Sequence, residues 1–153
     1  MRILVTGGCG FIGSNFIKHM VQKYPEYDIT CYDNLTYAGN RDNLNDIEGW
    51  YHNFHFVKGD ICDYKKLKKT IKSLEIDVII NFAAESHVDR SIENSDEFIR
   101  TNINGTHTLL KLMHEFTIHK FLQISTDEVY GSLIDFEEPF TEAVSYTHLT
   151  LPT

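Results

Sequence analysis

Apolar and polar positions follow two alternating rhythms along this chain of 153 residues. Arg2–Thr6 (RILVT) is a short apolar, β-branched run closed by glycines, the mark of a buried strand. Ile12, Phe16, Ile17, Met20 and Val21 then recur at helical steps. Strand-like runs return at 28–32 (DITCY), Phe54–Lys58 (FHFVK), 78–82 (VIINF, apolar except for Asn81) and 121–125 (FLQIS). Between them Tyr64, Leu67, Ile71 and Leu74 mark one amphipathic helix. Ile99, Ile103, Thr106, Leu110 and Met113, at steps of 4, 3, 4 and 3, predict the buried face of a longer one. Residues 34–51 are polar and carry Gly39 and Gly49, which predicts a long connection with a short helix over 41–46. Strands apolar on both faces, alternating with helices, predict an α/β protein. Its sheet is parallel, with helices on both faces and right-handed crossovers.

The last ten residues, 144–153 (VSYTHLTLPT), break the pattern, because they hold no charged residue in a chain that is 24% charged. The tract can be spelled by the transposase-end adapter of sequencing libraries. It is read as a non-native tail, with the native sequence stopping near Ala143; the competing reading is a sixth strand over 145–151, where alternation is plausible.

Composition narrows the partners. A hydrophobic content of 42% fits a globular chain and excludes general disorder. Lys and Arg number 14 against 22 Asp and Glu, a net charge of −8, which argues against nucleic acid or an anionic membrane as a partner. No run approaches the roughly 18 apolar residues of a membrane span. Only Ile3, Leu4 and Val5 precede the first glycines, so the start is no signal peptide, and the expected location is the cytoplasm. Cys9, Cys31 and Cys62 have no Cys-x-x-Cys spacing and no His at ligand spacing, so they read as reduced, small apolar residues rather than a metal site.

The strongest local signal is Thr6-Gly7-Gly8-Cys9-Gly10-Phe11-Ile12-Gly13, between a predicted strand and a predicted helix. Gly7 permits a tight turn, Gly10 a close backbone approach to a pyrophosphate, and Gly13 close packing of helix on strand. The phosphate charge would meet the unpaired N–H groups at the helix start. Asp33 ends the second strand, at the distance where a carboxylate accepts the adenosine ribose hydroxyls and repels a 2′-phosphate, which favours NAD over NADP. Asp60 and Ile61 follow the third strand, where an Asp could reach the adenine amino group. Ala83, Ala84 and Ser86 follow the fourth, with small residues where backbone would pass a cofactor. Thr126, Asp127 and Glu128 follow the fifth. Side chains alternate along a strand, so adjacent carboxylates there could flank a sugar as acid and base; on the residues alone, a solvated turn is the commoner reading.

TGGCGFIGSNF, YDNLTYAGNRDNL, GDICD, NFAAESHVDRSI, TNINGTHTLL and STDEVYGS, in this order, resemble the extended short-chain dehydrogenase/reductase superfamily, and within it the dTDP-glucose 4,6-dehydratase family. The resemblance covers the chain from Met1 to about Ala143. It implies a Rossmann-type, doubly wound parallel sheet, here truncated before its C-terminal part: an incomplete NAD-binding domain over 1–143 and the tail over 144–153. It implies the dehydration of dTDP-glucose to its 4-dehydro-6-deoxy product by C4 oxidation, C5/C6 elimination and hydride return. Glu128 would take the C5 proton and Asp127 would protonate the leaving C6 hydroxyl. Thr126 would bond the O4 region, and Ser86 the substrate or nicotinamide. Phe11, Ile12, Asp33, Asn34, Leu35, Thr36, Asp60, Ile61 and Thr101 would line the NAD site. His87 falls in the same motif and is equally well read as structural.

The family's Tyr-x-x-x-Lys pair is missing from its place after the fifth strand, since Tyr130 has Ile134 four residues on; the one Tyr with Lys at that spacing, Tyr64 with Lys68, lies in the amphipathic helix before the fourth strand. The resemblance therefore implies an inactive polypeptide from an active parent. It also implies a homodimer when full length, built on the helix near residues 93–115, whose apolar surface would be exposed without its partner helix. Three rivals stand: a nucleotide-sugar 4-epimerase, which has no need of the Asp127–Glu128 pair; a dehydratase of CDP- or GDP-sugars; and a non-catalytic dinucleotide-binding module.

Overall fold

The computed structural model describes residues 1–87, 92 and 94–130, with Asp127 and Glu128 as backbone alone. The chain divides into two compact units, Met1–Gln123 and Ile124–Thr153. The expected tail at 144–153, the sixth strand considered for it, and Ile134 lie outside the described residues.

The first unit runs β1 (Arg2–Thr6), α1 (Phe11–Lys23), β2 (Asp28–Asp33), a 3-10 turn (Arg41–Leu44), β3 (Phe54–Lys58), α2 (Tyr64–Leu74) and β4 (Val78–Asn81). It continues through α3 (Ser95–Phe98), a π-helical stretch (Ile99–Gly105), α4 (Thr106–Glu115) and β5 (Lys120–Gln123). All strand pairs are parallel, in the order β3-β2-β1-β4-β5. The chain winds outward from β1 in one direction and from β4 in the other, so the order reverses between those two strands. In open sheets of this kind that crevice receives the ligand.

Strand alternation divides the core between two faces. Leu4, Tyr32 and Ile79 join Leu67 and Ile71 of α2 and Leu109 and Leu112 of α4 in one buried cluster. On the other face, Ile17 and Val21 of α1 are fully buried, and Ile17 packs beside Cys31 under Gly8. Asp63 starts α2 by accepting the Lys66 amide at 3.0 Å. Glu75 ends it in the left-handed region at φ 48°, with the Ile76 amide returning to Ile71 at 3.2 Å.

Asn81, the polar exception in an apolar strand, is fully buried and satisfied. It accepts from the Thr6 hydroxyl and from the Ala83 amide at 3.2 Å, and donates to Gln123 Oε1 at 2.8 Å. This ladder ties the carboxyl ends of β1, β4 and β5 together, and burial without such partners would be costly. At the opposite edge Arg2 donates through Nη2 to Asp77 at 2.8 Å and through Nη1 to Glu75 at 2.5 Å. The hydrogen bonds from Arg2 hold the Asp77 carboxyl down at about 2.

Several boundaries differ from expectation. β2 extends to Asp33, β4 stops at Asn81, β5 starts one residue early and leaves Ile124 and Ser125 out of the ladder, and the short helix over 41–46 is the 3-10 turn Arg41–Leu44. The long helix differs more. Its buried face is Gly105, Leu109 and Leu112, whereas Ile99, Ile103 and Leu110 are 49%, 61% and 45% exposed. The period was right and the phase was one residue off, because Leu109–Leu110 and Leu112–Met113 are adjacent apolar pairs that give two parallel stripes. Gly105 decides between them: a Cβ there would sit 2.4 Å from Ile61 Cδ1, so only that face can approach the sheet so closely. Ile12, placed on the buried face of α1, is likewise 62% exposed.

Candidate functional site

At the carboxyl edge of the sheet a cleft opens between the turn after β1, the loops after β2, β3 and β4, and the π-helical stretch. The turn after β1 is built around glycine. Gly7 has φ +66°, and a Cβ on it would lie 2.5 Å from the Ala83 backbone nitrogen. A Cβ on Gly13 would lie 2.4 Å from the Gly7 carbonyl oxygen, so the first turn of α1 rests directly on the loop. Gly10 is the N-cap of α1 and supplies no side-chain cap, and the first turn carries no acidic residue. Those features leave a helix N-terminus open to an anion.

Asp33 is buried beside this turn. Its Oδ2 accepts the Cys9 amide at 2.9 Å and its Oδ1 the Leu35 amide at 2.7 Å. The carboxylate therefore joins the glycine turn to the loop after β2, where Leu35 takes φ 55° and Gly39 leaves room against Asp33 Oδ1. Each oxygen keeps a second lone pair for a ligand hydroxyl. Across the cleft Tyr37 donates to Glu85 Oε2 at 3.0 Å, and Asn102 holds the backbone of Glu85 from both sides, at 2.8 and 2.9 Å.

Asp60 accepts the Cys62 amide at 2.8 Å through Oδ1 and the Arg100 guanidinium through Oδ2. Burial raises its pKa, but the Cys62 amide and Arg100 outweigh burial and hold the carboxyl below its usual value. Cys62 donates its thiol to the Arg100 carbonyl at 3.1 Å. Burial, then Asp60, push that thiol up to about 11, so it is a hydrogen-bond donor and no nucleophile.

The cleft wall contains Gly7, Gly10, Asp33, Asp60, Ile61, Ala83 and Ala84, singled out by their places after glycines and strand ends, and Asn34, Thr36 and Thr101, which the family resemblance implies. Gly13 and Leu35 stand behind the wall in the roles just described. Phe11 is 83% exposed, and Phe11, Ile12 and Ser86 do not line the cleft. Glu85, within the segment expected to line the cleft after the fourth strand, does line it, and Arg100, Glu97 and Tyr32 line it too and escaped the sequence reading. Tyr32 adjoins a predicted site residue and could have been found that way, whereas Arg100 and Glu97 depend on the helix phase. Thr126, Asp127 and Glu128 belong to the second unit. There the strand has ended and Asp127–Tyr130 is a 3-10 turn, with the Val129 amide 3.4 Å from the Thr126 carbonyl. Strand alternation therefore does not govern the two carboxylates, which corrects the geometric argument for their division.

A family model described as GDP-mannose 4,6 dehydratase matches residues 4–149. The chain belongs to this family. Among the family's relatives, a probable dTDP-glucose 4,6-dehydratase of Sinorhizobium fredii is 43% identical over 96% of this chain and 45% of its own length. The crystal structure of a dTDP-glucose 4,6-dehydratase from Bacillus anthracis in complex with NAD is 46% identical. It superposes with a TM-score of 0.83 over 95% of this chain and 43% of that one. A UDP-glucose 4-epimerase of Thermotoga maritima is more distant, at 30% identity and a TM-score of 0.76 over 88% of this chain and 41% of that one. The chain thus spans under half the length of the dehydratases it matches.

Proposed function

We propose that the full-length protein is a hydro-lyase, an NAD-dependent dehydratase of a nucleotide-activated glucose, with dTDP-glucose as substrate. The observation that carries the reading is the glycine cradle beside a buried, doubly hydrogen-bonded Asp33. Gly7 and Gly13 let the turn close against Ala83 and against the helix start, Gly10 lines the cleft without a side chain, and the helix behind is uncapped, so the residues fit a diphosphate with an adenosine ribose next to it. Phe11 and Ile12 would meet the diphosphate through their first-turn amides, which needs no contact from their exposed side chains. Bound NAD supplies reversible hydride acceptance. Thr126 bonds the sugar near O4, Glu128 takes the C5 proton, Asp127 gives a proton to the leaving C6 hydroxyl, and Ser86 contacts substrate or nicotinamide. The greater likeness to dehydratases than to the epimerase supports this reading over an epimerase, and so does the acidic pair, which an epimerase does not need.

The proposed setting is the cytoplasm, where the buried Cys9 and Cys31, with their sulfurs 3.8 Å apart, stay thiols. Among the described residues no helix is long and apolar enough to cross a membrane. The exposed stripe of Ile99, Ile103 and Leu110 supports a homodimer for the full-length protein.

The test is turnover of dTDP-glucose by the full-length protein, read as the 4-keto-6-deoxy product by its absorbance in alkali. Asp127→Asn and Glu128→Gln should each lower kcat by about 10²–10⁴-fold, the usual weight of a general acid or base, with NAD affinity unchanged. C4 epimers as products, or turnover untouched by both substitutions, would sink the assignment.

A further inference from the structure

Four carboxylates, Asp33, Asp60, Glu85 and Glu97, face the cleft among the described residues, and Arg100 is the one cation there. A wall three charges negative is a poor host for an anionic diphosphate, since charges lining one cleft are close enough for salt to screen them only in part. We propose that Arg100 sets the cleft's affinity for its dinucleotide by masking Asp60 and Glu97, a positioning and affinity role that rests on the cofactor reading above.

The geometry is specific. The guanidinium sits on Asp60 Oδ2, and its Nη1 lies 3.6 Å from Glu97 Oε2. The Arg100 backbone is fixed separately, because its carbonyl accepts the Cys62 thiol at 3.1 Å while the Cys62 amide takes the other Asp60 oxygen at 2.8 Å. Asp60 and Cys62 therefore hold the residue at both ends. The π-helical turn makes this possible. Its wider hydrogen-bonding pattern departs from the α-helical ladder over Ile99–Gly105, which presents Arg100 and Thr101 to the cleft while Asn102 reaches Glu85. Asp33 ends β2 and Asp60 follows its neighbour β3, so Arg100 stands at the adenosine end, away from β5. Both side chains of the pair are partly exposed, at 46% for Arg100 and 20% for Asp60, and such pairs add little to folding. Folding therefore gains little from this pair, and the charge it contributes acts on the cleft wall.

The experiment measures NAD affinity of the full-length protein by calorimetry at about 20 mM and about 1 M salt, where screening lengths differ severalfold. Arg100→Gln should weaken NAD about tenfold at low salt and less than about threefold at high salt, since exposed like charges are screened and lost packing is not. Arg100→Lys should stay within about threefold of the parent at both, and Glu97→Gln added to Arg100→Gln should recover at least half of the low-salt loss on a logarithmic scale. An equal loss at both salts, a failure of Lys to rescue, or no loss at all overturns the charge-masking role. Absence of NAD binding by the unsubstituted protein overturns the cofactor reading beneath it, a result distinct from any of the former.

Discussion

The two sides of the sheet treat their apolar residues differently. β2, flanked by β1 and β3, is buried from Ile29 to Asp33, whereas β5 at the other edge is mostly exposed and leaves Leu122 51% accessible. Next to β5 in sequence, the long helix buries Leu109 and Leu112 and exposes Leu110. Within β1 and β2, apolar character in the sequence equals burial. On the β4–β5 side it marks two surfaces at once, one packed on the sheet and one that the described residues leave open. Hydrophobicity identifies what is to be covered, and only the arrangement of elements identifies by what.

The largest effect that would sharpen this contrast comes from the helix. Leu109→Ala should cost about 2–5 kcal/mol in urea unfolding of the full-length protein, the range for emptying a buried leucine site. Leu110→Ser, one residue on, should cost the subunit's own fold less than about 0.5 kcal/mol, the usual scale of an exposed position, and instead weaken self-association in sedimentation. Equal costs with self-association unchanged would mean that the exposed stripe is core after all.

On the well-buried side, Gly7→Ala should cost about 2–4 kcal/mol, from a left-handed φ of +66° and a backbone clash at 2.5 Å that no rotamer change relieves. NAD affinity in calorimetry should fall with it by more than about tenfold, since the displaced turn forms the cradle. A stable variant with normal affinity would show that the turn tolerates a side chain and that the cradle lies elsewhere.

The smallest effect belongs to the Arg2–Asp77 clasp at the opposite edge. The Asp77 carboxyl is held below its unfolded value by Arg2, so it stabilises the folded state above about pH 4 and loses that contribution as pH falls toward 2. Asp77→Asn should lower the urea midpoint at pH 6 by an amount worth about 1 kcal/mol or less, because the pair is part-exposed and screened. The gap to the parent should close between pH 4 and pH 2. A gap constant with pH would mean that the side chain acts by shape.

Much of the site was legible because it is local. Gly7, Gly10 and Gly13 lie within seven residues, and their sterics are set by backbone that immediately follows a strand. Asp33 announces itself as the residue where a buried strand ends. Asp60, Ala83 and Ala84 follow the same rule, and all line the cleft. Arg100 and Glu97 were not legible, since a helix with two apolar stripes does not reveal which residues face the ligand. The direction of Phe11 and Ile12 was missed for a related reason: apolar type suggested an inward face, while the start of α1 turns them to solvent.

The order of strands and helices and the position of the glycine turn were determined by the sequence itself. They depend on periods of two and 3.6 residues and on where glycine interrupts them, and both are properties of neighbouring residues. Tertiary structure decided the phase of the long helix, the π-helical turn that brings Arg100 to Asp60, and the hydrogen-bonded ladder of Thr6, Asn81 and Gln123. Each of these depends on a contact between residues about forty or more apart in sequence, such as Gly105 against Ile61. No local pattern encodes such a contact, because it exists only once the sheet has brought the two segments together.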